Sequence, residues 1–170
     1  MTLTIIVVTL FVVAAMGAGG LMTDIGDWYR QLRKPWFNPP NWVFGPAWAL
    51  ILGLAGWSAV LAWTRAHDQG QQLVLGALFS ACLVLQVAWS PLFFKFKRPD
   101  WALLEIPLLW ASILVLIIVI APISIRAAML LAPYLAWVTF ATLLNLVIVR
   151  MNGPFGRSST KATARTRSGG

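Results

Sequence analysis

Charge is what this chain has least of. Only 11% of its 170 residues are Asp, Glu, Lys or Arg, and just five of those are acidic. A soluble domain carries about a quarter charged residues. With 59% hydrophobic residues and a mean hydropathy of +0.79, the chain has no polar surface to present to water. A single cysteine, Cys82, excludes an intramolecular disulfide and a cysteine metal cluster. A single histidine, His67, leaves haem ligation by a His pair, zinc sites and Ser–His–Asp triads without support. No metal site is expected, and no acid–base constellation for ordinary enzymology.

What is present is apolar length. The apolar runs are about twenty residues long, not the roughly ten-residue alternating segments of a membrane barrel. The reading is an all-α integral membrane protein: a five-transmembrane-helix bundle, residues 1–152, followed by a basic tail, 153–170. Spans are expected near 3–22, 46–63, 72–94, 101–120 and 127–149. No Lys or Arg precedes the first run, and it exceeds a signal-peptide core, so it reads as a retained span. Pro46 suits the first turn of span two and Trp63 an interface belt. The tail is small, polar and basic, without apolar period. It reads as a disordered, solubilising end rather than a lipid or nucleic-acid contact.

Positive charge is one-sided. Arg30, Arg33, Lys34, Lys95, Lys97, Arg98, Arg150, Arg157, Lys161, Arg165 and Arg167 fall on one side, and only Arg65 and Arg126 on the other. The positive-inside rule puts the N-terminus outside and the first loop, third loop and tail in the cytoplasm.

The chain is organised around Trp28–Trp48, which holds four of the ten tryptophans, four of the ten prolines and three positive charges. Pro35, Pro39 and Pro40 lack backbone donors and argue against a regular helix there. The segment is too aromatic for a solvated linker. It reads as an ordered lid, with Trp28, Trp36 and Trp42 over a pocket and Trp48 in its wall. Gln86, Trp89, Trp101, Glu105, Trp137 and Asn145 lie in the same half or the middle of the spans, giving an aromatic-walled small-molecule site. Plainer readings stand beside this one. Trp63 and Trp101 suit interface belts, Gln86 and Asn145 suit interhelical hydrogen bonds, and Glu105 suits snorkelling or pairing with Lys95 or Arg98. Cys82 suits packing. On span three, Gly76/Ser80 and Ala77/Ala81 make a small-residue face for self-association.

These residues resemble a known family. Trp28-Tyr29, Lys34-Pro35, Pro39-Pro40, Trp42-Val43, Gly45-Pro46 and Trp48 are similar to the first-loop and second-helix signature of the translocator protein (TspO/MBR) family, the tryptophan-rich sensory proteins. The likeness continues in 88–94 (AWSPLFF), Trp101-Ala102-Leu103, 133–137 (PYLAW), 141–145 (ATLLN) and Arg150. It implies a five-helix bundle, usually homodimeric, whose pocket takes protoporphyrin IX, haem-related tetrapyrroles, sterols or benzodiazepine-type drugs. Porphyrin or haem would be a ligand, with no cofactor required. Trp48 and Trp137 match the family's pocket tryptophans, linked to light-dependent porphyrin breakdown, and Trp89, Trp101 and Asn145 match other pocket or near-pocket positions; Ala141, in the same motif as Asn145, is also a candidate ligand-binding residue. Gln86 stands where many members have Asn, and Val87 where animal members often have Trp. Leu146 and Val147 replace the aromatic of the cholesterol-recognition segment, so sterol binding is not carried over.

The implied function is a membrane receptor, sensor or transporter for tetrapyrroles in the bacterial cytoplasmic membrane, with light-dependent porphyrin degradation or sterol and lipid transport as alternatives. Nucleic acid is not an expected partner. With cysteine introduced at His67 or Thr160, an impermeant thiol reagent outside the cell should label position 67 only. Labelling at 160 would overturn the topology.

Overall fold

The computed structural model describes residues 2–155. Five helical segments in it are long and apolar enough to cross a membrane, as expected. They run through α1 (Thr2–Met22), α3 (Asn41–Arg65), α4 (Gln69–Ser90), α5 (Pro99–Ile120) and the pair α6 (Ile125–Met129) and α7 (Ala132–Asn152). A short helix, α2 (Asp27–Gln31), lies in the first loop, and a π-helical turn, Pro91–Lys95, extends α4. Beyond Phe155 the expected tail lies outside the described residues.

Boundaries differ from expectation where prolines were misread. Helix α3 begins at Asn41, directly after Pro40, so Pro46 lies inside the helix rather than in its first turn. Pro39 and Pro40 are the stop signal, because a proline disfavours helical geometry in the residue before it. Lacking an N–H, Pro46 removes only the helical bond to Trp42 C=O, in the second turn of α3. The stretch expected to be irregular is therefore helical at both ends, and only 32–40 is not. Helix α4 does not stop at Pro91. It widens into a π turn, closed by Phe96 N–H donating to Pro91 C=O at 2.9 Å. Lys97, at φ 53°, then turns the chain into α5. The fifth span is broken at Leu130–Leu131, just before Pro133 at the start of α7.

The core is built by α5 and α7 with α4 and α3. Ile106, Ile113, Leu116, Ile120 and Val138 are almost fully buried. Leu104, Leu108 and Ile118 of the same α5 helix are exposed and form its lipid-facing side. Polar groups inside the bundle are spent on other segments. Ser58 Oγ donates to Ala127 C=O at 2.8 Å and ties α3 to α6. Asn145 is 1% exposed; in the amide orientation that satisfies both atoms it donates to Pro99 C=O and accepts from Leu103 N–H, each at 3.2 Å. That ties α7 to α5.

Helix α1 is a wall more than a part of the core, since Ala15 alone of its described residues is buried. It rests on α3 at Gly56, where a Cβ would stand 2.9 Å from Val12 Cγ2 and 3.3 Å from Val8 Cγ1. Gly56→Val should push α1 off α3 and cost about 1–3 kcal/mol, as overpacking does. Thermal unfolding in detergent should register the loss, and an unchanged midpoint would show that α1 does not depend on this contact.

Candidate functional site

A cavity of about 460 Å³ opens in the half of the bundle that faces the first loop. It is walled by the C-terminal half of α1 (Ala15, Met16, Gly19, Gly20), the start of α3 (Asn41, Trp42, Phe44, Gly45, Trp48), the end of α4 with its π turn (Gln86, Trp89, Ser90, Phe93, Phe94), and by α5 and α7 (Ile106, Leu109, Trp137, Val138, Ala141, Leu144, Ile148). Thr23, Ile25 and Tyr29 come from the loop.

Aromatic rings form the wall by edge-to-face packing, the arrangement their quadrupoles favour. Trp48 meets Trp137 with centroids 6.2 Å apart and planes at 83°, and meets Tyr134 at 6.2 Å and 84°. Trp137 also packs on Phe44 at 5.9 Å. Trp89 stacks on Phe93 at 5.1 Å and 28°. Polar groups are few. Gln86 Oε1 accepts from Tyr134 Oη at 2.9 Å, while the buried Trp89 Nε1 has no partner among the described residues.

The loop is fastened at two points. Tyr29 is buried against Phe94 (5.5 Å) and Phe93 (6.3 Å), with Lys34 Nζ 3.9 Å above its ring. Burial raises the Tyr29 phenol above its ordinary pKa and lowers the Lys34 ammonium below its own. At the second point, Arg33 N–H donates to Asn152 Oδ1 and Asn152 Nδ2 donates to Arg33 C=O, both at 2.8 Å. The side chain of Asn152 thus pairs with the loop backbone as a strand neighbour would.

Of the expected site residues, Trp42, Trp48, Gln86, Trp89, Trp137 and Ala141 line this cavity. The others do not. Trp36 is 95% exposed and points away from the bundle, touching only Phe37 edge-on among aromatic rings. Trp28 packs on Phe93 from behind, so Tyr29 takes the lining position beside it. Trp101 is half-exposed with the Arg98 guanidinium 4.4 Å from its ring, the interface alternative. Arg98 pairs with Asp100 rather than with Glu105. Glu105 is buried outside the cavity lining, and neither carboxylate oxygen finds a partner among the described residues. Asn145 is consumed by the α5 backbone, the interhelical alternative. Trp42 belongs to the first turn of α3, not to the irregular lid. Sequence reasoning missed Tyr29, Phe44, Phe93 and Phe94 as wall residues; the Trp-Tyr and Phe-Phe pairs in the family-like motifs were the available signal.

Five bilayer-length helices around an aromatic-walled cavity, capped by a loop with its own anchors, define an integral membrane protein with a small-molecule-sized internal site. The chain belongs to the TspO/MBR family, whose model matches residues 5–151. It is 37% identical over 150 residues to the tryptophan-rich protein TspO of Archaeoglobus fulgidus, covering 86% of this chain and 96% of that one. It is 35% identical over 126 residues to the human translocator protein, 74% and 75% of the two chains. The tryptophan-rich sensory protein of Cereibacter sphaeroides is 34% identical over 142 residues, 82% of this chain and 87% of its own.

Asn152→Ala should remove one of the loop's two fastenings. A net loss of about 1 kcal/mol should raise hydrogen exchange at the Arg33 amide roughly five-fold. Exchange at the wild-type rate would mean that Tyr29 alone holds the loop.

Proposed function

We propose that this membrane protein binds a flat, extended hydrophobic ligand, a tetrapyrrole of the protoporphyrin IX or haem type, in the loop-side cavity. The observation that carries the reading is the meeting of Trp48, Trp89 and Trp137 with Gln86 around one space of about 460 Å³. Aromatic faces stack on an extended π system and their edges pack against it. Lys34 and the Arg30 side chain of α2 supply positive charge in the first loop, the sign that propionate groups require. Receptor, sensor or transporter are the roles this binding would serve, with the loop face in the cytoplasm by the charge rule. Self-association through Ala77, Ser80 and Ala81, all exposed on α4, accompanies it. Gly76 leaves that face, because Trp63 of the same chain covers it, with Cζ3 3.5 Å from a Cβ built there.

A second reading, light-dependent porphyrin degradation, is favoured by the 6.2 Å separation of the Trp48 and Trp137 rings at the cavity wall. Light and the bound ligand would supply the photochemistry and dissolved dioxygen the oxidant, with Trp48 and Trp137 as electron or radical relays. Illumination of the complex distinguishes the two: porphyrin loss no faster than in detergent alone would leave binding without degradation.

Protoporphyrin IX should quench tryptophan fluorescence saturably. Trp48→Ala with Trp137→Ala should weaken its affinity at least ten-fold, roughly 1.4 kcal/mol. Trp36→Ala should change nothing, since that ring is 95% exposed. Unchanged affinity in the double variant would falsify the proposed site.

A further inference from the structure

A second cavity, of about 420 Å³, lies in the opposite half of the bundle between α1, α3 and α4. Its wall along α1 runs from Leu3 to Val12, nine helical rises of 1.5 Å, or about 14 Å. That is close to half of the roughly 30 Å hydrocarbon core of a bilayer. The cavity is therefore about one leaflet deep and runs along α1, a bilayer-length helix.

Its chemistry is narrow. No charged side chain among the described residues lines it, and its side-chain polar groups are those of Thr4, Ser80, Cys82 and Tyr134 and the indole N–H of Trp63. Two of these are turned to each other: Cys82 Sγ reaches Tyr134 Oη at 3.8 Å, and that hydroxyl donates to Gln86 of the first cavity's wall. The remaining wall is hydrocarbon, which holds water poorly because a buried water needs two to four polar partners. Alkyl chains, by contrast, gain dispersion contacts on every side. On the lipid side the rim is formed by Leu3, Val7 and Phe11, all exposed, so among the described residues these side chains are the cavity's boundary with the bilayer. Tyr134, bonded to Gln86, and Leu52, which faces both spaces, stand between this cavity and the loop-side one.

We infer that the far cavity is a binding site for one acyl chain of a membrane phospholipid from the leaflet on the side of the α1 N-terminus, loaded independently of the loop-side cavity. The headgroup stays at the water surface and the chain descends along α1 to the Gly56–Val12 contact, where the helices close. The bound chain fills the gap between α1 and α4 that protein side chains leave open.

Native mass spectrometry after exchange from vesicles of dioleoylphosphatidylcholine and cholesterol into mild detergent tests this. Wild type should retain one phospholipid per chain. Ala59→Phe fills the cavity from α3 and Val7→Phe from α1, and each should lower retention at least ten-fold with an unaltered melting midpoint. If Ala59→Phe does not fold, Val7→Phe decides, because that position already faces lipid. Trp48→Ala with Trp137→Ala should leave retention intact, and that outcome does not depend on what the loop-side cavity binds. Equal retention in the filled variants would mean annular lipid only. Loss in the tryptophan variant would place the lipid in the other cavity, and retained cholesterol in place of phospholipid would give the wrong occupant. Any of these three overturns the assignment.

Discussion

Tyr29 buried against Phe93 and Phe94 is the contact on which the closed shape of the bundle depends. It brings an irregular loop down onto a helix end that would otherwise lie open. The contact requires two adjacent phenylalanines to face inward together, with 3% and 8% exposure. A regular helix turns successive side chains by about 100°, and the wider π turn brings neighbours closer in angle. Pro91 starts that turn, so this proline changes the pitch of the helix rather than ending it. Trp89, one turn earlier, stacks on Phe93 and carries the same cluster into the cavity wall.

Membrane solvent explains which parts of this arrangement were legible in the sequence. Apolar runs of about twenty residues announce themselves, because a bilayer demands unbroken helices of that length. The tryptophan and proline stretch likewise announced an ordered loop. Facing was harder to read. Trp36 and Trp101 have the same composition signal as Trp48 and Trp137, yet one pair is turned outward and the other inward. Only register decides that, and register here passes through a π turn, an internal proline and a break at Leu130. Asn145 was legible as polar and buried, but its partners are backbone groups of Pro99 and Leu103. Those groups stand at i and i+4 at the start of α5, the pair that a regular helix bonds to each other, and the Asn145 amide bridges them.

The polar inventory is spent almost entirely on holding segments together. Ser58 serves α6, Asn145 serves α5, Asn152 serves the loop, and Tyr134 with Gln86 partitions the interior. What remains for a ligand is aromatic surface and a few loop charges. Such a wall recognises shape and face more than a pattern of hydrogen bonds. Specificity would then come from how the rings are set, and the rings are set by one another: Trp137 meets Trp48 and Phe44 edge-to-face and Phe140 at a tilt.

Helix α1 ties the two cavities into one design. Gly56 lets it approach α3 closely at a single level, and its residues line the loop-side cavity on one side of that level and the far cavity on the other. A helix pressed against the bundle along its whole length would have left neither space. The glycines near its end, Gly19 and Gly20, remove side-chain volume where the loop-side cavity opens, while Leu3, Val7 and Phe11 put volume toward lipid at the other end. Because α1 contributes almost nothing buried to the core, it walls both cavities without being part of the packed interface of α5 and α7.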